Sequence, residues 1–250
     1  MTARRAIITG SSSVIGAATA LALAREGYAV WLTYGTNREA AQSIADECAE
    51  ASAADVRISA LDLRSPDSIA ALLAEVTEIW GTLHVLVNNG GICPYVALDD
   101  IEIDDWDAVM ETNARGTFLL SRGGLPLLRA ASGTDRVIIN ISSIAGQIGG
   151  VTTSVHYAAS KSAILAITRT FARHLAAEGI RVNSVAPGPI ESVITSRLGD
   201  AGRASLSSMI PVGRFGTADE AAWIIASLAS PRAGFVTGAT YDVNGGVRIG

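Results

Sequence analysis

Residues 6–25 read AIITGSSSVIGAATALALAR, and the fold turns on how that stretch is divided. Taken whole, Ala6 to Ala24 is nineteen residues without a charge behind Arg4 and Arg5, the outline of a secretory leader ending in Ala-Leu-Ala. Thr9-Gly10-Ser11-Ser12-Ser13 interrupts that run with turn residues. The division that accommodates them is a short strand, Ala6-Ile8, then a glycine turn, then a helix over Ile15-Arg25. A helix starting behind such a turn presents free amides and the positive end of its dipole, a seat suited to a pyrophosphate. Glycine turns after strands are common, so the stretch alone leaves cofactor binding and a plain structural turn both open.

Outward from it the same alternation continues. Aliphatic or β-branched runs at Ala29-Tyr34, Val56-Leu61, Val85-Asn88, Val137-Ile141, Arg181-Val185 and Thr240-Val243 bring the predicted strands to seven. Alanine-rich segments, Arg38-Ala51, Ser68-Ile79, Asp105-Arg129 and Tyr157-Ala177, are long enough for crossover helices. This pattern predicts an α/β fold: a single doubly wound domain over residues 1–250, with a seven-stranded parallel sheet and helices on both faces. In such sheets ligands sit beyond the carboxyl ends of the strands, where strand order reverses. The polar motifs do fall just after strands: Thr9-Gly10, Asp62, Asn88-Asn89-Gly90-Gly91, Ser142-Ser143 and Pro187-Gly188.

Composition narrows the partners. Hydrophobic residues make up 49% and charged residues 17%, enough core to exclude a disordered chain. The net charge of -5 leaves no basic face for nucleic acid or an anionic membrane. The uncharged stretch from Val137 to Ser160 is too rich in Ser, Thr, Asn, Gln and Gly to span a bilayer. Cys48 and Cys93 are far apart and lack metal-binding spacing, which suits a reducing cytoplasm with no metal. All 19 basic residues but one are arginine. The exception, Lys161, is a compact charge that arginine does not replace geometrically, and it stands four residues after Tyr157, on one helix face. By itself that pair is also what a packed tyrosine beside a solvated lysine looks like.

Taken together, TGSSSVIG at 9–16, Asp62, NNGG at 88–91, Asn113 within ETNARGTF, NISS at 140–143, YAASK at 157–161, RVNSVAPGPIES at 181–192, and IPVGRFG with FVTGATYDVNGG near the end resemble one family. The chain is similar throughout to the short-chain dehydrogenase/reductases, most of all to 3-oxoacyl-(acyl-carrier-protein) reductases and related carbonyl reductases. The resemblance implies a Rossmann fold and hydride transfer between a nicotinamide and a ketone or secondary alcohol, 3-oxoacyl substrates among the candidates, in a cytoplasmic homotetramer. It assigns Tyr157 as acid or base, with Lys161 and the oxidised nicotinamide favouring its phenolate. Ser143 is the donor to the substrate oxygen, and Asn113 holds a water in a proton relay to Lys161. The cofactor would be held by Gly10, Ser12, Ser13, Ile15, Gly16, Tyr34, Thr36, Asn37, Arg38, Asp62, Leu63, Asn89, Gly90, Gly91, Tyr157, Lys161, Pro187, Gly188, Ile190 and Ser192.

Tyr34 stands where an acidic residue would accept from the adenosine ribose and repel a 2′-phosphate, so NADP is expected over NAD, with Arg38 reaching back. Three departures from the family pattern stand out. Val14 replaces the middle glycine of the turn, where a β-branched residue tolerates positive φ poorly and crowds the diphosphate. NNGG replaces NNAG. Glu178 lies where a basic residue near the site mouth would favour an acidic carrier protein, so a free small molecule is expected instead. The pocket is expected to be lined by Cys93-Pro94-Tyr95, Gln147 to His156 and Glu191 to Ser208, with Ile148, Val151, Val155 and Ile194 making it apolar. His156 reads as a surface or packing histidine. The rival readings are a non-catalytic dinucleotide-binding regulator or scaffold, and an NAD-dependent sugar or alcohol dehydrogenase.

Overall fold

A computed structural model describes residues 3–133, 135–150, 153–192 and 199–249. Seven parallel strands, β1 (Arg5–Ile8), β2 (Ala29–Tyr34), β3 (Val56–Ala60), β4 (Val85–Asn88), β5 (Arg136–Ile141), β6 (Ile180–Pro187) and β7 (Thr240–Val243), form one sheet in the order β3-β2-β1-β4-β5-β6-β7. Winding reverses between β1 and β4, which opens a crevice at their carboxyl ends.

The continuous apolar strands are explained by burial on both faces. Ile8, Val87 and Ile139 face a core shared with α1 (Val14–Arg25), α2 (Arg38–Glu50) and a helix over Ala218–Ala229. Ile7, Leu86 and Ile138 face the other way, toward α3 (Pro66–Ile79), α5 (Gly116–Gly123), α6 (Leu125–Ala130) and α8 (Val155–Leu175). Each fully buried side chain of this kind contributes roughly 2 kcal/mol. A polar thread also crosses the interior. Asn88 Nδ2 donates to Ser121 Oγ (2.9 Å) and Asn140 Oδ1 (2.8 Å), and Asn140 Nδ2 donates to Thr168 Oγ1 (2.9 Å), joining β4 and β5 to α5 and α8.

The expected helix over Asp105-Arg129 is not one helix. It is α4 (Ile103–Val109), a π-helical turn (Met110–Arg115), then α5 and α6, broken at Gly123-Gly124 and restarted where Pro126 sits in the first turn of α6. Other helices begin earlier than expected because capping groups precede them: Ser13 Oγ accepts from Gly16 N, and Ser65 Oγ accepts from Ser68 N. Three helices went unread: α7 (Ala145–Ile148), α9 (Gly199–Ser208) and the Ala218–Ala229 helix, here α10. The last carries a legible signal, a capping box between Thr217 and Glu220. Among the described residues no helix is long and apolar enough to cross a membrane.

Candidate active site

The glycine turn is held by the loop after β4. Asn89 Nδ2 donates to Thr9 O (2.8 Å), Gly10 O (3.0 Å) and Ser13 Oγ (3.1 Å), while Asn89 N and Gly90 N both donate to Thr9 Oγ1. The fit leaves no room for side chains. A Cβ on Gly10, whose φ is +62°, would fall 2.8 Å from Gly90 Cα, and one on Gly16 would run into Gly10 O. The first amides of α1 have no intrahelical partner and stand at the cavity wall formed by Ser13, Val14 and Ile15. This cradle suits a diphosphate, so the residues present fit a dinucleotide.

Val14 departs from expectation in a way the backbone explains. It is the first helical residue of α1 and is 38% exposed, and Ser52 is the one non-glycine residue with positive φ among those described. The positive φ of the turn belongs to Gly10, so the strain attributed to Val14 is absent.

Farther along the crevice lie the expected adenosine contacts. Tyr34 is half-buried at the end of β2, and Ser12, Thr36, Asn37, Arg38 and Asp62 are exposed. Asn37 Oδ1 caps α2 by accepting from Ala40 N, and Asp62 Oδ1 accepts from Arg64 N. Leu63 is buried against Gly90 and Gly116. On the far wall, Pro187, Gly188, Ile190 and Ser192 line the same cavity as Asn89, Gly91, Tyr157 and Lys161.

The four expected catalytic residues converge from β5, the π-helical turn and α8. Ser143 follows β5, and its Oγ accepts from Ala145 N (3.1 Å). Lys161 Nζ donates to Ile141 O (2.8 Å) and lies 5.7 Å from the ring centroid of Tyr157, while Ser142 Oγ donates to Lys161 O (2.8 Å). Asn113 is fully buried. Its Oδ1 accepts from Ile92 N (2.8 Å), and its Nδ2 donates to Ile92 O (2.9 Å) and to Ser160 Oγ (3.0 Å). The side chain therefore spends both donors on binding the post-β4 loop to α8. A Cβ on Gly91 would fall 2.9 Å from Asn113 Oδ1 and 3.7 Å from Lys161 Nζ, so this approach needs glycine.

Burial sets the electrostatics of the site. Burial raises the Tyr157 phenol above its ordinary value, Cys93 and Tyr95 add to the rise, and Ser143 opposes it. The protein alone thus favours the protonated phenol, whereas the expectation of phenolate rests on Lys161 together with an oxidised nicotinamide. Lys161 is brought down to about 8, chiefly because burial disfavours its charge. Cys93, a free thiol at the cavity wall, is raised mainly by burial.

The cavity measures about 710 Å³. Cys93, Tyr95, Ile148, Gly149, Thr153, Gly202, Ser205, Leu206, Met209 and Ile210 contribute to it, but Pro94, Gln147, Val155 and His156 do not. Gln147 Nε2 turns away to Asp242 (2.7 Å), and Val155 is exposed. Val151 and Ile194 lie outside the described residues. His156 is fully buried, which removes the surface reading, and neither ring nitrogen has a hydrogen-bond partner among the described residues. Glu178 is not near the mouth. It precedes β6 at the amino edge of the sheet, about 27 Å along α8 from Tyr157 at 1.5 Å per residue, and its carboxylate binds Arg129 (2.6 and 2.9 Å).

A family model described as enoyl-(acyl carrier protein) reductase matches residues 10–248. The chain is 38% identical over 245 residues to the 3-oxoacyl-(acyl-carrier-protein) reductase FabG of Staphylococcus aureus, covering 98% of each chain. It is 37% identical over 244 residues to the protein of that name from Thermotoga maritima, covering 97% of each. Among solved structures, a double mutant of a Serratia marcescens short-chain dehydrogenase/reductase superposes with a TM-score of 0.88 at 30% identity, covering 98% of this chain and 97% of the other.

Proposed function

Because the chain belongs to the short-chain dehydrogenase/reductase family, we propose that this oxidoreductase is an NADP(H)-dependent carbonyl reductase that converts a ketone to a secondary alcohol. A 3-oxoacyl thioester is the first substrate to test, since the named relatives are 3-oxoacyl-(acyl-carrier-protein) reductases. The observation that carries the reading is the meeting of Ser143, Tyr157 and Lys161 at one cavity, with Asn113 clamped behind them. The same reading carries a homotetramer in the cytoplasm. It weighs against a non-catalytic regulator, which has no need of a buried lysine beside a half-buried phenol at a cavity wall.

The Gly10–Gly16 turn, Asn89 to Gly91, Pro187 to Ser192 and Lys161 would hold a nicotinamide dinucleotide, which would supply the hydride when bound. The residues of the chain manage the oxygen. Ser143 donates a hydrogen bond to the substrate carbonyl and stabilises the charge that grows there. Tyr157 donates its proton to that oxygen, a role suited to a phenol whose surroundings keep it protonated. Lys161 then stabilises the phenolate until a proton returns from solvent. Tyr34 offers a 2′-phosphate no carboxylate to repel it, which is the basis for preferring NADP(H).

The test is oxidation of NADPH and NADH in the presence of acetoacetyl thioester and simple ketones, with Tyr157→Phe alongside. The variant is expected to bind NADPH within a few-fold of the parent by fluorescence titration, while turnover falls by about two to four orders of magnitude. Retained turnover would remove Tyr157 from the chemistry, and equal kcat/KM with both cofactors would remove the NADP preference.

A further inference from the structure

Large apolar side chains left open to solvent usually lie scattered, and a contiguous group of them marks a place where something apolar binds. Here Val14, Ile92, Tyr95, Ile148 and Met209 are all exposed, Tyr95 by 61% and Met209 by 50%, and all five line the cavity that holds Ser143 and Tyr157. They come from separate segments: the start of α1, the loop after β4, α7 and the residues after α9. The convergence is therefore a product of the fold and not of one greasy stretch of sequence.

Charge is distributed just as unevenly. Among the described residues the cavity lining contains no Asp, Glu, Arg or His, and its one charged group is Lys161. That ammonium is buried, donates to Ile141 O at 2.8 Å and lies over the Tyr157 ring. It is committed to Ile141 O and the Tyr157 ring, beside the reacting groups. A substrate carboxylate packed along Ile148 and Met209 would lose water and, among the described lining residues, gain no partner, which is costly.

We infer that the substrate of this site is an electrically neutral ketone with a hydrocarbon arm lying along Ile148 and Met209, and that keto acids bearing a free carboxylate on that arm are rejected. The inference deepens the reductase reading and rests on it. A thioester qualifies, because its reacting end is uncharged.

The experiment compares ethyl 5-oxohexanoate with 5-oxohexanoate, which share a carbon skeleton and differ in charge, as substrates of the full chain with saturating NADPH. The ester is expected to exceed the acid in kcat/KM by at least about tenfold, the scale of one unpaired charge partly withdrawn from water. Met209→Arg should shift the ester-to-acid ratio toward the acid by about tenfold or more while leaving the NADPH Kd within a few-fold. Ile148→Arg, in α7, repeats the test should the first variant fail to fold. An acid reduced as well as the ester by the parent overturns the inference and leaves the reductase reading standing, as does a ratio unmoved by a folded arginine variant. Failure to reduce any ketone or acetoacetyl thioester with either cofactor overturns the reductase reading and this inference together.

Discussion

At the scale of single residues, the catalytic pair divides its work by protonation. Burial keeps Tyr157 protonated well past neutrality, so the phenol does not limit reduction at ordinary pH. Lys161, lowered to about 8, is the group that changes charge in the working range. Its charge is present below that value and lost above it, so kcat for reduction is expected to fall as pH rises through about 8. Lys161→Arg keeps its charge through the same range, but its planar fork does not fit a space shaped for an ammonium under Ile141 O. That variant should turn over at least about a hundredfold more slowly and show a flat profile between pH 7 and 9. Stopped-flow rates across that range check both, and an unchanged falling limb in the variant would mean that another group titrates.

At the scale of elements, the start of α1 shows what the sequence could and could not tell. Strand, turn and helix were legible because Gly10 and Gly16 are required by contacts that any side chain would violate. The backbone at Val14 was not legible: the motif suggested a turn residue, and the chain makes it the first residue of a helix. Val14→Gly is therefore expected to cost about 0.5–1 kcal/mol in urea denaturation, through helix propensity and unfolded-state freedom. NADPH affinity should stay within about threefold, since no strain is relieved. A tenfold tighter Kd would show that the isopropyl group, and not the backbone, obstructs the site. The π-helical turn carrying Asn113 was invisible for a different reason. One extra residue in a helical turn has no compositional signature, and the partners it selects, Ile92 and Ser160, lie 21 and 47 residues away. The motif residues were legible because they are chemically unusual, whereas Met209 and Ile148 are ordinary residues whose importance comes only from where the fold puts them.

For the whole molecule, a parallel sheet was legible from the buried strands, but the placement of charge was not. Glu178 follows the helix that begins at the active site, so in sequence it reads as a neighbour of the mouth. A helix of 21 residues carries it to the opposite edge. The interior polar thread is likewise a property of the assembled fold, because Asn88, Asn140, Ser121 and Thr168 meet only once both sheet and helices are in place. Asn140→Leu leaves an Asn88 donor and the Thr168 hydroxyl without their partner in the core. It is expected to lower stability by about 2–4 kcal/mol, read as a reduced urea midpoint with an unchanged m-value. A loss below 0.5 kcal/mol would mean the thread is replaceable by hydrocarbon.

The double tie between β5 and α8 has an evolutionary consequence. Lys161 grips Ile141 with its side chain and is gripped by Ser142 through its backbone. The strand end that leads into Ser143 and the helix that bears Tyr157 are thereby fastened as one piece. The apolar wall from the residues after α9 belongs to neither side of that fastening, whereas α7 is tied to it, with Ala145 N donating to Ser143 Oγ and Ser162 Oγ donating to Gly146 O. A lineage can exchange this wall for another of different size or charge without disturbing the reacting groups. Substrate choice and chemistry are thus separately heritable, and recombining the 199–210 segment between relatives is a natural route to new ketone reductases.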